Sequence, residues 1–392
     1  MTNTSTFEAL GVAPDLVATL AAQGIDAPFP VQALTIADGL AGRDVCGKAK
    51  TGSGKTLAFG LPLLQRVRPA EPRRPTGLVL VPTRELANQV FGVLEALAAG
   101  RGQRVVAVYG GVGFEHQIAA LKAGVDVIVG TPGRLIDLLE RRELRLDHLD
   151  VLVLDEADRM LDMGFLPQVQ KILYRLESNP QTMLFSATLE GAIRRLVDRY
   201  MRDPVFHEVA SQDPTVDEME HRFLVVHQMD KPKVAAAISR GVQRTLIFSR
   251  TKRGADRLVS DLRREGVRAA AIHGDLRQQA REKSLADFMG GKVPVLVATD
   301  VAARGLHIDA VDVVLHYDPP EDSKAYLHRS GRTARAGETG FAVTLVLWNQ
   351  ENEVRAIRRP LGLTEPFIEV FSNDPRLADL RDLVDDEATV PA

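Results

Sequence analysis

The sequence has one cysteine in 392 residues, Cys46, and a single thiol excludes both an intramolecular disulfide and a cysteine-rich zinc site. Its place in an apolar stretch marks it as a small buried hydrophobe. No apolar run approaches the ~20 residues that span a bilayer. Residues Met1-Thr2-Asn3-Thr4-Ser5-Thr6 lack the basic and apolar regions of a secretory signal, so a cytoplasmic protein is expected. Positive charge is also missing as a global field, since the net charge is −3. Residues 371–392 hold six acids against Arg376 and Arg381, a net of −4 that leaves about +1 for the remainder. Any polyanion site must therefore be a local cluster of arginines, and no basic or Arg-Gly-rich tail is visible.

What is present suits two domains. The length exceeds a usual single domain, and 45% apolar content can supply two cores. Short β-branched runs at 44–47, 78–81, 105–109, 125–129, 151–154 and 182–185 alternate with helix-like stretches such as 84–99. The alternation predicts a parallel sheet covered by helices on both faces. Pro204, Pro214 and scattered acids interrupt it around 203–219, which reads as a linker. It resumes with strands at 245–248, 269–272, 295–298, 313–317 and 342–347 and helices at 254–265 and 278–289. Ahead of the first strand lies a helical lead, with Pro14 at a plausible first helical position.

Thr51-Gly52-Ser53-Gly54-Lys55-Thr56 suits phosphate. Bare backbone N–H groups of a glycine-rich turn can approach the oxygens, and the lysine reaches the β/γ end. About one hundred residues on, the apolar run Val151-Leu152-Val153-Leu154 ends in Asp155-Glu156-Ala157-Asp158. Adjacent carboxylates at a strand end supply an acceptor for Mg²⁺ and a base for water. Either element alone fits an ordinary solvated turn; together, in this order, they indicate nucleotide hydrolysis. Ligands of open α/β sheets sit at the carboxyl ends of strands, where both elements lie.

Further segments carry a specific resemblance. They are Gly24 with Pro28-Phe29-Pro30-Val31-Gln32 and the isolated Phe7; Pro82-Thr83-Arg84-Glu85-Leu86-Ala87; Gly110-Gly111; Thr131-Pro132-Gly133-Arg134; and Ser186-Ala187-Thr188. The second half adds Leu246-Ile247-Phe248-Ser249-Arg250; His273-Gly274-Asp275 with Gln278 and Arg281; Ala298-Thr299-Asp300 through Gly305; and His328-Arg329-Ser330-Gly331-Arg332-Thr333-Ala334-Arg335. With the phosphate loop and Asp155–Asp158, the chain from Phe7 to about Leu347 resembles a DEAD-box RNA helicase of superfamily 2.

The resemblance implies two tandem RecA-like domains, each a parallel sheet flanked by helices. The expected organisation is a helical lead with an adenine-recognition motif at 1–42, ATP-binding domain 43–205, linker 206–219, second domain 220–350 and a short acidic extension 351–392. It implies ATP and Mg²⁺, with Phe7, Gln32, Thr51, Gly52, Ser53, Gly54, Lys55, Thr56, Asp300 and Gly305 around the nucleotide. Thr56 and Asp155 would hold the metal, and Glu156 would activate water. Arg332 and Arg335, three apart on one face, would reach the γ-phosphate as charge develops. Gln32 would pair with adenine through its amide. Asp158, Ser186, Thr188 and His328 would couple the domains.

RNA would meet Arg84, Gly111, Thr131, Arg134, Gln278, Arg281 and Thr299, groups suited to phosphate and sugar without an array for base stacking. A single strand or short duplex would be bound largely independently of sequence. The chain departs from the family at Ala49 (for the first loop glycine), Ile25, Phe29 and His307. A monomer is expected; protein partners in RNP or RNA-decay assemblies are not legible. A DNA translocase is the rival within the class, tested by comparing stimulation by RNA and DNA. An ATP-gated RNA clamp is the rival outside it.

Overall fold

The structure, a computed structural model, describes residues 6–49, 53–209, 219–303, 308, 311–333 and 340–383. The chain divides into two compact units, Met1–Ser211 and Gln212–Ala392. The first is built on β1 (Val45–Lys48), β2 (Gly77–Leu80), β3 (Val105–Val108), β4 (Val127–Gly130), β5 (Val151–Leu154), β6 (Gln181–Ser186) and β7 (Val205–Glu208). Their order across the sheet is β3-β4-β2-β5-β6-β1-β7, with every pairing parallel. A parallel pair cannot be joined by a hairpin, so each connection crosses a sheet face, mostly as a helix, and both faces are buried.

Side-chain alternation divides the core into two layers. Val151 and Val153 of β5 pack on one face with Val79, Val127, Val129, Leu16 and Leu20, whereas Leu152 and Leu154 join Leu78, Leu80 and Ile128 on the other. The helices bury matching stripes. In Arg84–Ala98 the stripe is Leu86, Val90, Leu94 and Leu97, and Thr83 caps the helix by accepting the Leu86 N–H at 3.2 Å.

The second unit holds β8 (Met219–Val225), β9 (Thr245–Phe248), β10 (Ala269–Ile272), β11 (Val295–Ala298), β12 (Val313–His316), β13 (Gly340–Val346) and β14 (Phe367–Glu369). The order is β10-β11-β9-β12-β13-β8-β14, again with every pairing parallel. Counted from the first strand of each unit, the two orders are identical.

Two expected boundaries move. Residues 206–208, placed in the linker, form most of β7, which pairs with β1, and Met219 already begins β8. Burial alternates along Val205-Phe206-His207-Glu208, half-buried then exposed, as at the edge of a sheet. Of the expected extension 351–392, the described residues 351–383 are not simply an extension. The helix Glu351–Arg358 and β14 belong to the second unit, and Val370, Leu377, Leu380 and Leu383 enter its core. Asp374 and Asp379 cap short turns by accepting the N–H groups of Arg376 and Arg381.

Candidate active site

In the first unit the candidate residues collect at the carboxyl ends of the strands. After β1, Ala49 donates its N–H to the Ser186 carbonyl at 3.0 Å, and Gly54 opens the helix Lys55–Arg66 with φ +86°. Only glycine adopts that conformation easily. A Cβ there would also lie 2.5 Å from Gln32 Nε2 and 2.7 Å from Phe29 Cδ2. Lys55 Nζ donates to the Ala49 carbonyl at 3.2 Å and stands 3.8 Å from Asp155 Oδ1, with both side chains buried. Thr56 follows in the first turn, half-buried, and Ser53 precedes Gly54. Thr51 and Gly52 lie outside the described residues.

Asp155 follows β5 and is 2% exposed. Burial pushes its carboxyl up to about 6; Lys55 opposes the shift and Glu156 adds to it. Glu156 has φ 50° and ψ 49°, a left-handed conformation unusual for a side-chain-bearing residue. The turn lets its N–H donate to Asp155 Oδ1 at 2.9 Å while its Oε2 accepts from Arg159 at 2.7 Å. Strain of this kind concentrates at functional sites.

Asp158 fastens the third piece. Its N–H donates to Ser186 Oγ at 3.3 Å, its Oδ2 accepts from the Ala187 N–H at 3.2 Å, and the Thr188 N–H also donates to Ser186 Oγ at 3.3 Å. These contacts follow from strand order, because β6 lies between β5 and β1.

Gln32 is buried, and both ends of its amide are engaged. Oε1 accepts the Phe29 N–H at 2.9 Å, closing the first turn of Pro30–Leu40, while Nε2 donates to the Gly54 carbonyl at 2.9 Å. The residue expected at adenine thus grips the phosphate loop. Phe7 is 1% exposed among the core side chains, so its ring packs the helical lead and presents no open face to a base.

Of the candidate RNA residues, Arg84, Gly111 and Thr131 follow β2, β3 and β4, which are neighbours in the sheet. Gly111 has φ +84°, and a Cβ on it would overlap the Arg84 guanidinium. Thr131 precedes the helix Pro132–Glu140, its N–H donating to Val108 at 3.0 Å. Arg134 is placed differently from expectation. It is 6% exposed, donates to Val112 O at 2.7 Å and Gln117 Oε1 at 3.1 Å, and lies 4.0 Å from the Phe114 ring centre. Burial lowers its pKa. Its guanidinium holds the 112–117 segment, and in this state presents little surface to a ligand.

In the second unit, Gln278 opens the helix Gln278–Met289 and donates to Glu282 at 3.0 Å, with half-buried Arg281 one turn on. Thr299 follows β11 and its carbonyl accepts the Ala302 and Ala303 N–H groups at 2.9 and 2.8 Å. Asp300 is held by Arg329, Nε to Oδ1 and Nη2 to Oδ2, both at 2.6 Å. Arg329 received no role from the sequence, although it adjoins the exposed His328; a buried, bidentate arginine is visible only once the chain is folded. Arg332 lies just beyond the helix Ser323–Ser330, half-buried, its N–H donating to the Arg329 carbonyl at 3.2 Å. Gly305 and Arg335 lie outside the described residues.

The Asp155 carboxylate and Thr56 hydroxyl are hard oxygen donors of the kind Mg²⁺ takes, and the buried carboxylate would gain from a cation. Among the described residues no group of three or more His, Cys, Asp or Glu could hold a metal.

The DEAD/DEAH box helicase family model matches residues 29–196, and the helicase conserved C-terminal domain matches 230–337. The chain is 41% identical over 358 residues to DEAD-box ATP-dependent RNA helicase CshA of Bacillus subtilis, covering 91% of this chain and 72% of that protein. It is 43% identical over 380 residues to ATP-dependent RNA helicase CshA of Listeria monocytogenes, covering 95% and 73%. The solved structure of S. cerevisiae Dbp5 bound to RNA and ADP BeF3 matches with a TM-score of 0.81 and 31% identity, covering 94% of this chain and 96% of that one. Sequence, fold and the placement of Lys55, Asp155 and Glu156 agree: this chain belongs to the DEAD-box ATP-dependent RNA helicases.

Proposed function

We propose that ATP lies over the carboxyl ends of β1, β6 and β5, and that its hydrolysis drives local, largely sequence-independent RNA unwinding. The observation that carries this reading is the buried trio of Lys55, Asp155 and Glu156, with Glu156 turned by a left-handed backbone. Lys55 neutralises the β/γ phosphates. Thr56 and Asp155 hold Mg²⁺, which would spread the negative charge of the phosphates when bound. Glu156 takes the proton of the attacking water. Gln32, whose amide already touches Gly54, passes adenine occupancy directly to the phosphate loop.

Arg332 and Arg335 act on the γ-phosphate, and Asp300 on the ribose side. Arg84, Gly111 and Thr131, with Gln278, Arg281 and Thr299, contact the RNA backbone; Arg134 shapes the loop beside them. Bound together, ATP and RNA favour a closed arrangement of the two units that strains the duplex, and phosphate release reopens it. The protein acts as a cytoplasmic monomer. No helix among the described residues is long and apolar enough to cross a membrane.

Glu156→Gln keeps the shape of the side chain but cannot accept the proton. It should bind ATP and RNA and stall, with hydrolysis down by roughly 10²–10⁴-fold. Fluorophores on the two units should then show high transfer only with both ligands present. Undiminished turnover would overturn the assignment of Glu156, and high transfer with ATP alone would overturn the coupling.

A further inference from the structure

The identical strand orders locate a second lysine–aspartate pair. Lys55 opens the helix after the first strand of its unit, and Asp155 follows the fifth. In the second unit Lys231 opens the helix Lys231–Arg240 after the first strand, and Asp318 lies two residues beyond the fifth, β12. The ammonium-to-carboxylate distances are similar, 3.8 Å in the first unit and 3.5 Å in the second.

The second pair is unsuited to phosphate. The turn before Lys231 is His227-Gln228-Met229-Asp230, without glycine. Asp230 stands where an anion would approach the helix, its carboxylate accepting from the Ser372 N–H at 2.6 Å and hydroxyl at 2.7 Å. Yet Lys231 is only 2% exposed, with Nζ 4.5 Å from the Tyr317 ring centre, and burying a lysine is costly without a specific partner.

That partner sits at a junction. The Asp318 carboxylate accepts from Lys231, from the Arg250 N–H at 2.8 Å and from Ser249 Oγ at 3.3 Å. Its carbonyl accepts from Arg329 Nη1 at 2.8 Å, and the other two nitrogens of Arg329 hold Asp300. An unbroken series of contacts therefore runs from Lys231 through Asp318 and Arg329 to Asp300. We infer that Lys231 is a positioning residue for ATP hydrolysis: it fixes Asp318, which orients Arg329 and thereby Asp300. The duplicated pair holds catalytic parts in one unit and aims a nucleotide contact in the other. The inference rests on the proposed role of Asp300 at the nucleotide.

The test is steady-state ATP hydrolysis at saturating RNA, with active protein counted by nucleotide stoichiometry and the melting temperature recorded for each variant. Lys231→Met keeps an unbranched side chain and removes the charge. Its KM for ATP should rise and its kcat/KM fall by about tenfold or more, the scale of a small misplacement at a distance from the chemistry. ATP affinity without RNA should not change. Because Lys231→Met also leaves the Asp318 carboxylate uncompensated, the double variant Lys231→Met/Asp318→Asn separates positioning from folding. Recovery of the melting temperature without recovery of kcat/KM supports positioning. Recovery of both together overturns it, as does an unchanged KM with loss only in proportion to the active fraction. If the unaltered protein shows no RNA-stimulated hydrolysis, the reading beneath the inference has failed instead.

Discussion

The two units share one strand order but differ in where their backbone is unusual. In the first, positive φ occurs at the carboxyl edge of the sheet, at Gly54, Gly111, Glu156 and Gly191, as well as in turns on the opposite side. Among the described residues of the second, it occurs only at Gly266, Gly291 and Gly362, in turns that precede strands. The carboxyl edge of the second unit is shaped by side chains instead, above all Arg329, Asp318 and Lys231. A topology provides positions; the loops decide whether an edge grips a phosphate through backbone groups or presents arginines to it.

Paired lysine variants give the most direct way to break this comparison. Lys55→Ala should reduce turnover by on the order of 10³-fold or more, because on the proposed reading it removes the charge that neutralises the transferred phosphate. Lys231→Met should cost less, about tenfold or more in kcat/KM but short of the Lys55→Ala loss. Equal losses in hydrolysis assays on the two variants would show that the units are not divided into a chemical half and an aiming half.

Arg329→Ala should rank next. It leaves the partly buried Asp300 without its bidentate partner and removes a cation 5.1 Å from the Phe248 ring centre. A loss of about 3 kcal/mol is expected. Calorimetry should assign it to the unfolding transition of the second unit and leave that of the first in place. Arg329→Lys keeps the charge but not the fork and should fall between. Movement of both transitions by the same amount would mean that the units unfold as one.

Gly111→Ala should cost about 1–3 kcal/mol in the first unit, since the new methyl group demands both an unfavourable φ and displacement of Arg84. RNA affinity should weaken in parallel in a filter-binding titration. A stable variant with normal affinity would remove Gly111 and Arg84 from the proposed RNA site.

Much of this architecture was legible because parallel strands buried on both faces read as short apolar runs, and motifs sat at their ends. Runs such as 151–154 and 245–248 appear as strands with those limits. Strands β7, β8 and β14 escaped notice: β8 interleaves Glu220 and Arg222 with its buried positions, β7 ends in His207 and Glu208, and β14 is only three residues long, so none reads as an apolar run. The candidate residues could be named by type but not by partner. Nothing in the order of residues says that Arg134 would point inward to the 112–117 segment, that Gln32 would hold Gly54, or that Arg329 would clasp Asp300. Such pairings depend on which loops the sheet places side by side.

The smallest expected effect concerns pH. His316, on β12, is wholly buried, stacked on Tyr326 at 4.8 Å between ring centres, with Nε2 3.2 Å from Ser330 Oγ. Burial lowers its pKa well below 6.5, and Arg329 and His221 push the same way. The folded unit therefore holds this imidazole neutral, whereas the unfolded chain protonates it below about pH 6.5. The unfolded state then binds the extra proton, so stability is fully present above that pH and declines as pH falls through it. The slope from one such group is at most about 1.4 kcal/mol per pH unit. His316→Phe keeps a ring against Tyr326 and Phe248 but cannot titrate, so the midpoint of the second unit should become less sensitive between pH 7 and 5. The corresponding core of the first unit has Leu152 and Leu154 on its fifth strand and no buried histidine there, so its midpoint should not respond to the substitution. An unchanged slope in His316→Phe would assign the acid sensitivity of the second unit to other groups.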